Sequence, residues 1–247
     1  MLPPFPTGSP LPIALVVSLS TMLPPAANAE EDFPPAVYPT LPSSANSAQD
    51  FVPSGWQIEK QASGDLNGDH RSDLVLVLHQ NTTANFIDNN GDGGNPLNTN
   101  PRMLVIAFAN TKGGYDLVAE NHSLIERHLD RYAQDSFGEV SVDRGTLAVS
   151  LYYRSGRWDT TDTYTFRWQN MQFGLIGYDH IQSNGYKPVL NSGISINYST
   201  AKANTWATLG NGPEQTAWLK LPKLPAWTLD NMGEATHFDP LSQDAPQ

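Results

Sequence analysis

Four oxygen-bearing side chains recur at close, mostly alternate positions in Gly64-Asp65-Leu66-Asn67-Gly68-Asp69-His70-Arg71-Ser72-Asp73, namely Asp65, Asn67, Asp69 and Asp73. Hard cations seek such oxygens. Calcium takes six to eight of them at about 2.3–2.6 Å. In a tight loop these side chains turn inward to one point, and the backbone carbonyl of Arg71 supplies a fifth donor. Three carboxylates outweigh the charge of a dication, so the set is matched to a strongly charged ion. Magnesium demands a tighter octahedron at about 2.0–2.1 Å and keeps its water, so it suits the pattern less well. The segment departs from an EF-hand, whose loop closes on a bidentate Glu and turns on a Gly. Leu76 and His70 stand at those two places. His70 must therefore take a left-handed conformation, which His tolerates better than most side chains. The competing reading is a solvated Asp/Asn/Gly turn between strands.

A second loop, Asp88-Asn89-Asn90-Gly91-Asp92-Gly93-Gly94-Asn95, begins with the same spacing but meets Pro96 where a closing ligand would stand. It reads as a mobile acidic loop, or as a donor of one further ligand to the first. His70, His79, His122, His128, His180 and His237 are scattered, and none forms a His-Glu-x-x-His pair. With no cysteine in the chain, thiolate zinc sites, disulfides and cysteine nucleophiles are excluded. There is no Gly-x-Ser-x-Gly elbow and no Gly-rich phosphate loop. Asp159, Asp162 and Asp179 are the carboxylates that a glycosidase-like acid pair would draw on. Trp158, Trp168, Trp206 and Trp218 are candidates for stacking on a sugar. Trp168 sits in an alternating run and suits a core, whereas Trp158 lies at a turn. No specific catalytic activity follows from these residues.

The elements that must position the loop carry β signals. Gly55 to Lys60 alternates, and Leu74-Val75-Leu76-Val77-Leu78 is a continuous apolar run, expected as a strand buried on both faces. Met103 to Phe108 is a second such run, followed by a Gly113-Gly114 turn into Tyr115–Ala119. Residues 139–179 alternate with period two between short turns and read as an antiparallel meander. Ile194–Tyr198 and Trp206–Leu209 offer one more hairpin, with Trp218–Pro222 and Trp227 docked along the sheet. Residues 123–134 read as a short helix or an irregular connection, Ser123 with Glu126 being a capping-box signature. The expected fold is mainly β, antiparallel strands in a meander or sandwich-like single domain over residues 51–230, with at most one short helix.

The apolar stretch Leu11 to Leu23, the Ala27-Asn28-Ala29 site and the acidic Glu30-Glu31-Asp32 that follows read as a signal peptide over residues 1–29. This predicts a periplasmic or secreted protein. Residues 30–50, rich in Pro, Ser and Ala, read as a flexible spacer, and residues 231–247 as a disordered tail. The net charge of -11 disfavours nucleic acid and anionic lipid headgroups.

Asp65-Leu66-Asn67-Gly68-Asp69, with Asp73-Leu74-Val75-Leu76-Val77 beyond it, resembles the calcium loop of FG-GAP and VCBS-type repeats. That resemblance covers about residues 62–78 and implies calcium held between two β-strands. Asn98–Arg102, Asp162–Arg167 and Phe173–Asp179 are similar to segments of small exported bacterial proteins that carry a single such loop. The resemblance implies an envelope location and no known activity. A propeller needs several repeats, and one is present. The expectation is thus an exported calcium-binding envelope protein, a binding or structural module whose partner the sequence does not name, a glycan and an envelope protein being the candidates. The alternative is a calcium-dependent hydrolase of cell-wall or polysaccharide substrates.

Overall fold

Two antiparallel sheets follow one another along the chain, and the computed structural model describes them over residues 33–88, 95–185 and 190–244. The first half supplies β1 (Ser44–Ala45), β2 (Trp56–Gly64), β3 (Asp73–Gln80), a small ribbon of β4 (Phe86–Ile87) and β5 (Leu97–Asn98), β6 (Arg102–Ala109) and β7 (Tyr115–Asn121). Apart from that ribbon, these strands form one five-stranded sheet in the order β1-β7-β6-β3-β2. The second half supplies β8 (Phe137–Asp143), β9 (Thr146–Ser155), β10 (Trp158–Gln169), β11 (Gln172–Asn184), β12 (Leu190–Asn197), β13 (Lys202–Leu209) and β14 (Gln215–Lys220). These pair in sequence order as one seven-stranded meander. The mainly β, antiparallel, sandwich-like arrangement is the expected fold class.

The core lies where the two sheets face each other. Val75 and Val77 of β3 and Leu104 and Ile106 of β6 meet Val149, Tyr164, Phe166, Leu175 and Ile196 of the larger sheet. Successive side chains of a strand point to opposite faces, so the other half of β3, Leu74, Leu76 and Leu78, needs a second cover. Tyr38, Leu41, Phe51 and Trp56 provide it. This is why β3 is apolar at every position from Leu74 to Leu78, as the continuous run implied.

Three expectations are corrected. Residues 33–50 of the supposed spacer pack on the back of the five-stranded sheet, where β1 pairs with β7 and Phe51 is wholly buried. The segment is fixed by short 3-10 and Asp50-capped turns that leave no periodic signal, Asp50 Oδ2 accepting the Ser47 amide at 2.9 Å. Of the two readings for residues 123–134, the short helix does not form and the irregular connection does. Asn121 takes the capping role one strand end earlier, its Oδ1 accepting the amides of Ser123 (3.1 Å) and Leu124 (2.8 Å). Such local bonds compete with helix formation. Leu124 and Ile125 are then buried in the inter-sheet core. Residues 231–244 of the supposed tail also pack, with Phe238 5.5 Å from the Tyr164 ring, 5.6 Å from Tyr178 and 5.2 Å from Trp227. The signal-peptide reading over residues 1–29 lies outside the described residues.

Phe51→Ala is expected to destabilise the protein by about 3–5 kcal/mol in urea unfolding, as for other fully buried aromatics. A midpoint equal to that of the parent protein would show that Phe51 does not close the back of the five-stranded sheet.

Candidate functional site: the acidic hairpin loop

The loop is the connection between β2 and β3, closed by the pairing of Gly64 with Asp73. Gly68 and His70 both take positive φ, 83° and 65°. The left-handed conformation expected at His70 is therefore present. Those two reversals bring loop amides back over the side chains that precede them. Asp65 Oδ1 accepts the amides of Gly68 (2.7 Å) and Asp69 (3.2 Å), and its Oδ2 accepts that of His70 (2.9 Å). The His70 amide, with those of Gly68 and Asp69, holds the Asp65 carboxyl below its ordinary value despite some desolvation. Asn67 Oδ1 accepts the same Asp69 amide at 3.0 Å. Asp69 Oδ1 accepts the Arg71 amide at 2.9 Å, while its Oδ2 takes the Asn67 amide group at 3.1 Å and the Arg71 guanidinium.

Asp73 does something different. It is wholly buried, and its two oxygens accept the amides of Leu66 (2.8 Å) and Ala109 (2.9 Å). It thereby ties the loop to the end of β6, and Arg71 Nε adds a second tie by donating to the Ala109 carbonyl at 2.9 Å. Burial pushes the Asp73 carboxyl up; the two amides oppose this, and the negative charges of Asp69 and Asp65 add to it. Leu66, between the two carboxylates, is buried in the inter-sheet core.

The structure thus joins Asp65, Asn67 and Asp69 through one shared amide and one direct bond, and places Asp73 behind them on the sheet side. Arg71 enters through its guanidinium, a role that its expected carbonyl donation did not include. Among the described residues no three His, Asp or Glu side chains converge as a ready metal cage. The donor chemistry nevertheless fits calcium. Asp65, Asn67, Asp69 and Asp73 all carry hard oxygens, and those that accept a single amide, Asp65 Oδ2, Asn67 Oδ1 and Asp69 Oδ1 among them, keep a second lone pair. A cleft beside the loop is lined by Asp65 and Gly68 on one side and by Asp143, Arg144 and Gly145 of the β8–β9 turn on the other. Of the second acidic loop, residues 89–94 lie outside the described residues.

The other candidates are dispersed. Asp162 faces the inter-sheet side, where its Oδ1 meets His180 Nδ1 at 2.6 Å and accepts the Tyr178 hydroxyl at 2.9 Å. Asp179 pairs with Thr163 and so faces the opposite side of the sheet. Asp159 is bound to Arg154 Nε at 2.5 Å. The acid pair that a glycosidase-like site needs is not assembled from these three. Trp168 packs edge-on against Phe108 at 5.1 Å, a core role. Trp218, expected to dock, is 74% exposed on the edge strand β14.

A polar cluster that sequence reading missed lies at one end of the core. The Arg102 side chain, 3% exposed, is held by Glu59 (Nε–Oε2 2.6 Å) and Asp135 (Nη2–Oδ2 2.6 Å) and lies 5.3 Å from the Phe137 ring centroid. Glu59 reaches it because β2 bulges between Ile58 and Lys60. His79 stands 3.4 Å from Glu59 and 3.2 Å from the Asn100 carbonyl. The available signal was an Arg opening an apolar strand, which must find partners if buried. Burial alone would raise the Glu59 carboxyl, but hydrogen bonds from Arg102 and His79 outweigh it and bring it down to about 2.

No protein-family model, curated protein or solved structure matches this chain.

Two outcomes follow from this geometry. Asp73→Asn replaces one accepting oxygen by an amide donor, so one of two buried amides loses its partner; a loss of about 1–3 kcal/mol is expected in urea unfolding. An unchanged midpoint would remove the role given to Asp73. Glu59 is depressed in the folded state, so its stabilisation is fully present above the ordinary Glu range and fades as pH falls from about 4.5 towards about 2. The stability difference between the parent and Glu59→Gln should shrink over that window; a difference that stays flat across it would contradict the network.

Proposed function

We propose that the chain is an exported calcium-binding protein of the bacterial envelope, periplasmic or secreted, that serves as a binding or structural module. The observation carrying this reading is the loop itself. Asp65, Asn67 and Asp69 present their oxygens within one tight, twice left-handed turn, and that turn is bolted to the sheet through Asp73. Asp65, Asn67 and Asp69 would hold the ion through side chains, Arg71 through its carbonyl, and Asp73 would close the set from the sheet side. The bound ion supplies positive charge among carboxylates that otherwise repel one another. The protein's own part is to keep the loop short and its amides turned inward, so that little order remains to be imposed. Binding that favours the folded state adds to folding stability.

A hydrolase would need two acids meeting in a cleft, whereas Asp162 faces the opposite side of the sheet from Asp159 and Asp179, and Asp159, bound to Arg154, stands opposite Ser183, four residues along β11 from Asp179. The binding-module reading needs no such pair. The leader-like residues 1–29 and the resemblance of the loop to exported calcium-loop proteins support the location.

Calcium at a hundredfold excess over its dissociation constant contributes about 2.7 kcal/mol, which corresponds to a melting-temperature rise of roughly 5–10 °C for a domain of this size. Differential scanning calorimetry in millimolar calcium against EGTA measures it. Superimposable melting curves would contradict the reading.

A further inference from the structure

The outward face of the seven-stranded sheet carries a row of side chains that the calcium loop does not use. The strand register sets Tyr152 of β9, Thr161 of β10, Ile181 of β11, Gly193 of β12, Trp206 of β13 and Thr216 of β14 side by side. Large and small residues alternate along this row. Tyr152 and Ile181 are 48% and 42% exposed, and Trp206 is partly exposed. The indole of Trp206 lies across Gly193: a Cβ there would stand 2.8 Å from both its Cε2 and its Nε1. Glycine at this place lets the ring settle onto the sheet, and the ring in turn buries the glycine. Neighbouring strands are about 4.7–4.9 Å apart, so Tyr152, Ile181 and Trp206 rise at intervals of about 9.5 Å. That spacing is comparable to the length of two linked pyranose rings.

We propose that this face binds a neutral, extended polysaccharide lying across the strands, with Trp206 as its stacking platform. The chemistry of the flanking residues selects this occupant. On one side run Thr163, Asp179 and Ser195, which offer hydroxyl and carboxylate oxygens to sugar hydroxyls. On the other, Arg154 and Asp159 neutralise each other at 2.5 Å. Across β9 to β14, Asp179 is then the one remaining formal charge of the three rows, and Glu139 of β8, next in line beyond Ser150, is 3.4 Å from Lys60 Nζ, which suits an uncharged ligand rich in hydroxyls. Along this row the apolar groups stand singly, separated by Thr161 and Gly193, and a second exposed indole, Trp218 opposite Asn204, lies on the same face diagonal to Trp206. An aromatic ring gains from contact with an apolar sugar face while the hydroxyls around it remain hydrogen-bonded. The proposal stands apart from the calcium loop, which lies between β2 and β3.

Native affinity electrophoresis of the purified protein in gels cast with hydroxyethyl cellulose, xylan, galactomannan or dextran tests it, run with calcium and again with EGTA. Retardation by at least one β-linked polymer is expected, in EGTA as well as in calcium. Trp206→Ala should weaken binding about tenfold or more, as loss of a central aromatic anchor does, and Trp206→Phe should retain most of it. Because Trp206 also packs on Gly193, Ile181→Asp is the second variant: it leaves that packing intact, places a charge mid-row, and should abolish retardation with an unchanged unfolding midpoint. The proposal is overturned by a parent protein that runs freely in all four gels, or by equal retardation of parent and Ile181→Asp. A homodimer in sedimentation that Ile181→Asp dissociates would also overturn it, because the face would then be a protein interface.

Discussion

Asp73 is a carboxylate with no exposed surface, placed at the first residue of the most deeply buried strand. Its two bonds, to the amides of Leu66 and Ala109, join three pieces of chain: the acidic loop, β3 and the end of β6. Burying that charge is costly in itself, and Asp65 and Asp69 make it costlier by crowding more negative charge in front of it. The loop geometry offsets this in part through amides aimed at each carboxylate and through the Arg71 guanidinium. The calcium ion proposed for this loop would neutralise these acids.

The same economy governs the opposite end of the inter-sheet core. There Arg102 is buried among Glu59, Asp135 and His79, so that each end of the apolar layer is closed by charge that is paired or capped. Buried charge of this kind is weak evidence for stability, since desolvation can consume the attraction. Its effect here is positional. Asp135 leads into β8, so the Arg102 bridge fixes where the second sheet begins relative to the first sheet's strands.

Period-two alternation made the meander of residues 139–179 readable in the sequence, and the unbroken apolar runs at 74–78 and 103–108 marked the two strands covered on both faces. What covers them was not readable. Tyr38, Leu41 and Phe51 are single apolar residues among Pro and Ser, and Phe238 is one aromatic in a polar stretch. Nothing periodic distinguishes such contacts from a linker, because they depend on tertiary placement alone. The helix expected from Ser123 and Glu126 failed for a local reason, since Asn121 already caps the amides that the helix would have needed.

In the loop, spacing identified the residues and the left-handed turn at His70, but spacing carries no direction. It could not show that Asp73 turns towards Ala109, or that Arg71 sends its guanidinium to Asp69 and Ala109. The Glu59–Arg102 pair required a bulge in β2, and the Tyr152–Ile181–Trp206 row required the exact register of five strands, neither of which a single sequence displays.

The central claim is that the oxygens of Asp65, Asn67, Asp69 and Asp73 gather around one calcium ion. Isothermal titration of calcium chloride into the purified protein and into Asp69→Ala tests it most directly. The account predicts saturable binding of one ion by the parent at this loop and none there in the variant. Heats indistinguishable from dilution for the parent, or the same isotherm for both proteins, would contradict it.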